Sequence, residues 1–186
     1  MGHSITALIL KGEFDKPKAE SFDLKGKDLG FGLTLFHIDH YYAACWQYSL
    51  KTDGQLETPD FDRIVFPTES ALAELMKQIS CNSCPQFAII QTDYFGGIGA
   101  QYASVFCGSV NADKNIRRIN EALKYLGVVA KDGLDEFDTV GLDKIHSSFY
   151  SLLRVPVTRA HSKMSERSLL HSKLYHKVLH LAPNVC

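Results

Sequence analysis

Apolar positions along this chain follow two periods, one of strands and one of helices. Phe87, Ala88, Ile89 and Ile90 form an unbroken apolar run bounded by Pro85, too short for a helix. Such a run suits a strand buried on both faces, inside a sheet rather than at its edge. Gly96, Gly97 and Gly99 then break the chain, and glycine takes the positive φ that tight hairpin turns use. Residues 102–107, rich in aromatic and β-branched side chains, predict the returning strand. Residues 5–10 predict a first strand, ended by Lys11-Gly12, and residues 31–38 a second. Leu72, Leu75, Met76 and Ile79 recur at i, i+3, i+4 and i+7, the stripe of an amphipathic helix, with Thr68 as its N-cap and Glu69 in its first turn.

Weaker patterns fill the intervals. Residues 13–30 hold Pro17, Gly26 and Gly30 among many charges and read as a loop with a short strand near 22–24. Asp39 is placed to cap a helix carrying Tyr41, Ala44, Cys45 and Tyr48. Residues 55–66 are irregular. A further helix is predicted over 113–126, with Ile116, Ile119, Leu123 and Leu126 on one face and Gly127 as its stop. Residues 132–142 read as an acidic surface loop. The order is β-β-α-α-β-β-α. This predicts an α+β fold: an antiparallel sheet of about four to five strands with helices packed on one face.

Charge changes the picture at one place. The 186 residues carry a net charge of −1, but residues 146–186 hold six Lys/Arg and only Glu166 as an acid, a net +5 that leaves −6 on 1–145. Two parts are therefore expected: an α+β domain at 1–145 and a basic extension at 146–186, in which Ser165 could cap a helix carrying Leu170, Leu174, Val178 and Leu181. An apolar fraction of 45% and a charged fraction of 22% are ordinary for a soluble globular chain. The start lacks the basic n-region of a secretory signal, and no stretch has the length to span a bilayer, so a cytoplasmic location is expected. The five cysteines are odd in number, which in that compartment points to reduced thiols.

Four groups of residues invite a chemical reading. A cradle for phosphate at Gly96-Gly97-Ile98-Gly99 requires a helix N-terminus after the glycines, and a strand is predicted there instead. Cys81-Asn-Ser-Cys84 has the spacing of a redox or half-zinc motif. However, it closes a helix and precedes a strand, the reverse of the thioredoxin order, and no second pair of ligands is evident. His37, Asp39 and His40 cluster at a strand end, where a cap for Asp39 accounts for them as well as a metal does. Asp132, Asp135, Glu136 and Asp138 lack the alternate acids and distal Glu of a calcium loop.

The stretches GHSITALI at 2–9, DYFGGIGAQ at 93–101, NEAL at 120–123 with LGV at 126–128, and DEFDTVGL at 135–142 resemble a small family of uncharacterised bacterial proteins. Its members share a GxS-x-x-ALI start, a YFGGxGxQ turn and a DEFDxxGL segment. The resemblance implies that Tyr94, Gly96, Gly97, Gln101, Asp135, Glu136 and Asp138 belong to one signature, ending near Leu142. It implies no activity. It suggests that the turn and the acidic segment meet, with Asp135 or Asp138 accepting backbone N–H groups of the turn.

The reading that follows is a non-enzymatic protein-binding or regulatory module, with another protein as partner and neither membrane nor nucleic acid. Those seven signature residues are its candidate contacts, and no metal or cofactor is expected. The alternative is a small-ligand-binding protein or metal-dependent enzyme built on the glycine turn 96–99 and the acids 135–138.

Overall fold

The computed structural model describes residues 3–60, 66–95 and 98–145. All of them belong to the first of two compact units, Met1–Ser147. The expected basic extension 146–186 lies outside the described residues.

The fold is α+β. Strand β1 (His3–Lys11) runs through the middle of a six-stranded sheet of order β2-β3-β1-β4-β5-β6, every pairing antiparallel. Its neighbours are β3 (Leu33–His37) and β4 (Gln86–Phe95). Next to β4 lies β5 (Ile98–Cys107), and the edges are β2 (Gly26–Gly30) and the two-residue β6 (Val110–Asn111).

Side chains alternate across a strand, so each strand feeds two cores. On β1, Ile5, Ala7 and Ile9 enter one core, and Leu8 and Leu10 the other. β4 matches this register: Ala7 lies opposite Ile90 and Leu8 opposite Ile89. The first core is closed by α4 (Ile119–Tyr125) and by the segment from α5 (Glu136–Thr139) through the 3₁₀ turn Leu142–Lys144. The second is closed by α1 (Lys16–Ser21), α2 (His40–Leu50) and α3 (Ala71–Ile79).

Helices therefore cover both faces, not one. The reason lies in the central strands, where Ala7 to Leu10 and Phe87 to Ile90 are all 0% exposed. A strand apolar on both sides leaves a bare face unless each side receives a layer. The strand count is six rather than four or five because β2 and β6 extend the two edges.

Local chemistry explains most element ends. Asp39 caps α2 as expected, its Oδ1 accepting from Tyr42 N at 2.6 Å. Asp15 does the same for α1 at Lys18 N, with Pro17 in the first turn, so a helix stands where a loop was expected. α3 starts after Ser70, whose side chain makes no cap. Thr68 is not the N-cap, because its hydroxyl is bonded to the Gln55 side chain. The helix expected over 113–126 begins only at Ile119, because Asp113 bonds forward to Asn115 N at 2.9 Å and makes a turn instead. It stops at Gly127, whose φ of +101° only glycine adopts without strain.

Candidate functional site

The hairpin end of β4–β5 and the acidic segment are joined through three side chains. The register sets His3 opposite Tyr94, Ile5 opposite Thr92, Thr92 opposite Gln101 and Tyr94 opposite Gly99. These residues share the face that packs on α4 and α5, because they keep the parity of Ile5, Ile90 and Ala103.

His3 is the first link. Its Nδ1 lies 2.9 Å from Thr92 Oγ1, and its Nε2 lies 3.0 Å from the Leu142 carbonyl. A carbonyl only accepts, so Nε2 donates to Leu142 O, and in the neutral ring Nδ1 then accepts from the Thr92 hydroxyl. Thr92 Oγ1 in turn accepts from Ile5 N at 3.0 Å. The His3 ring also packs edge-on against Phe137 of α5, with centroids 5.6 Å apart.

Gln101 is the second link. Its Oε1 accepts from Ile119 N at 3.3 Å, at the start of α4. The neighbouring orphan donors of that helix end, Arg117 N and Arg118 N, go to Glu121 Oε2 at 3.0 and 3.1 Å. Asn120 is the third link. Its Nδ2 donates to Asp135 Oδ2 and its Oδ1 accepts from Phe137 N, both at 2.9 Å.

The candidate contacts are therefore placed as follows. Tyr94 is half-buried on β4, its ring lying across Gly99. A Cβ at Gly99 would stand 2.6 Å from Tyr94 Cδ1 and 2.5 Å from Tyr94 Cα, so a side chain here forces the Tyr94 backbone to shift. Gln101 is half-buried between β5 and α4. Asp135 is exposed and caps α5, its Oδ1 accepting from Asp138 N at 2.8 Å. Glu136 is half-buried in the first turn of α5, and Asp138 is exposed there. Gly96 and Gly97 lie outside the described residues.

The expected contact of Asp135 or Asp138 with the turn falls on residues outside the described ones, and what the described residues show is a linkage from the strands that lead to the turn. Asp135 accepts from its own helix and from Asn120, while His3, Gln101 and Asn120 span the gap. His3, Thr92 and Asn120 were not singled out from sequence. Asn120 just inside a helix start and His3 beside an apolar strand were the visible signs, and neither specifies its partner.

Glycines 96–99 do not precede a helix, since β5 already begins at Ile98. Exposed apolar and acidic groups lie on both segments. Ile98 is 85% exposed at the tip, Leu134 is exposed beside Asp135, and Asp93, Asp132, Asp138 and Asp143 are exposed as well. Among the described residues no group of three or more His, Cys, Asp or Glu is placed to share a metal ion. Also among them, no helix is long and apolar enough to cross a membrane.

At the hairpin's other end, Cys84 and Cys107 are joined as a disulfide, with Cα atoms 5.8 Å apart. This corrects the expectation of reduced thiols throughout. Pairing of Gln86 with Cys107 brings the two chains within bridging range. Cys45 and Cys81 are free.

Comparison with protein-family models, with curated proteins and with solved structures gave no match.

Proposed function

We propose that the hairpin tip and the acidic α5 segment together form a protein-binding face. The observation that carries this reading is the His3 bridge, from Thr92 on β4 to Leu142 beyond α5. It ties β4, whose hairpin partner β5 starts at the exposed Ile98, to the segment that carries the exposed Asp132, Asp135, Asp138 and Asp143. Segment 132–143 carries Asp132, Asp135, Glu136, Asp138 and Asp143 and no Lys or Arg. The fitting partner is a protein with a basic patch beside an apolar pocket. Complementary charge would steer the encounter and an apolar anchor would hold it.

A small-ligand or metal-dependent enzyme finds less support. Asp135 already spends both oxygens on Asp138 N and Asn120 Nδ2, so it is committed to holding α5. The bonds around it are those of a scaffold.

Native mass spectrometry of the protein drawn gently from its host tests the reading. A second polypeptide at fixed stoichiometry, lost in an Ile98→Asp variant, supports it. A protein that carries a small molecule or metal and no polypeptide overturns it.

A further inference from the structure

The three cysteines at the base of the hairpin stand apart from that face. Gln86 pairs with Cys107, and Gly108 N donates to Pro85 O at 2.9 Å, which aligns the entry of β4 with the exit of β5. The Cys84–Cys107 disulfide closes this base. Cys84 is exposed and Cys107 half-buried. Cys81 is exposed with a free thiol, only two residues before Cys84.

Cys81 is also held in place. Its N–H donates to Glu13 O at 3.0 Å, and Asn82 N donates to Ser80 Oγ at 3.0 Å. Residues 81–84 form the bend between α3 and β4. Two intervening residues is the spacing at which neighbouring cysteines form a disulfide in CxxC motifs.

We propose that Cys81, Cys84 and Cys107 form a thiol–disulfide exchange site, with Cys81 as the attacking thiol. The Cys81 thiolate attacks Cys84 Sγ. The Cys81–Cys84 bond forms as the Cys84–Cys107 bond breaks. The electron pair leaves on Cys107 Sγ, which takes up the proton that Cys81 gave up. No atom is oxidised or reduced overall, and no co-reactant is consumed. The product leaves a free thiol at the end of β5 and opens the covalent closure of the hairpin base. Attack requires the thiolate.

The test uses the full chain in a Cys45→Ser, Cys186→Ser background, which leaves only these three cysteines. The protein is equilibrated with a glutathione redox buffer at pH 8, freed of glutathione, quenched in acid, alkylated and mapped by peptide mass spectrometry. The expected result is two linkages, 84–107 and 81–84, with alkylated Cys107 matching the 81–84 linkage in amount. In Cys81→Ser, alkylation of Cys107 should fall at least about tenfold. The proposal is overturned if 84–107 is the sole linkage with Cys81 alone alkylated, or if Cys107 is labelled equally in Cys81→Ser. It is also overturned if the exchange rate scales with protein concentration, because the attack is then intermolecular.

Discussion

Asn120 and Asp135 lock α4 to α5 through one side-chain amide. Asn120 Nδ2 donates to Asp135 Oδ2 while Asn120 Oδ1 accepts from Phe137 N, each at 2.9 Å. The same Asp135 caps α5 through Oδ1. The acidic segment is thus held by the residue next to the one that Gln101 anchors, Ile119.

Asn120→Ala removes both bonds and should cost about 1–2 kcal/mol. Asp135→Ala should cost about 1 kcal/mol, and Asp135→Asn should recover the cap but not the Asn120 bond, because its Nδ2 then faces the donating Asn120 Nδ2. Urea midpoints of the single and double variants check this, and the double variant should fall short of the sum because the two residues share a bond.

Thr92 is 2% exposed and serves both His3 Nδ1 and Ile5 N. Thr92→Val keeps the shape but removes the hydroxyl bonded to His3 Nδ1 and Ile5 N, at a cost of about 1–3 kcal/mol. Thr92→Ser retains the oxygen and should lose markedly less. Equal losses in thermal or urea melts would show that the hydroxyl contributes only through packing.

Gly99→Ala places a methyl group against Tyr94, with the Tyr94 backbone itself in the way at 2.5 Å. Overpacking of this kind costs about 1–3 kcal/mol. Because the obstacle includes Tyr94 Cα, a second change of Tyr94→Ala should not rescue it. Denaturation of the single and double variants reads this directly.

Much of this architecture was legible from local sequence because its causes are local. The 87–90 run, the Leu72–Leu75–Met76–Ile79 stripe and the Asp39 cap need no distant partner to be recognised. β2 escaped notice because GKDLG buries only Leu29 and so shows no alternation. α4 came out shorter than its apolar stripe because Asp113 satisfies the backbone in another way. The site was the least legible part. His3 acts through residues 89 and 139 positions away, and no spacing along the chain encodes that.

His37 gives the fold a pH dependence. Burial of its imidazole, and then the Lys27 charge, lower its pKa from the ordinary 6.5. The unfolded chain then binds the proton more readily than the folded one, so stability is full above about pH 6.5 and falls as pH drops toward the lowered value. More than a third of the residue remains exposed, so the effect is modest. Urea midpoints between pH 5 and pH 8 should slope downward toward acid, and His37→Gln should flatten that slope.

Ile98 and the 132–143 acids are proposed as one partner-binding face. The most direct measurement is photo-crosslinking in host extract, with a photoreactive residue at position 98 and a control at Tyr48, which is 62% exposed on α2. One discrete adduct is expected from position 98, none from position 48, and loss of the adduct in an Asp132→Asn, Asp138→Asn variant that melts like the parent. The same adducts from both positions, or an adduct indifferent to the acids, would contradict it.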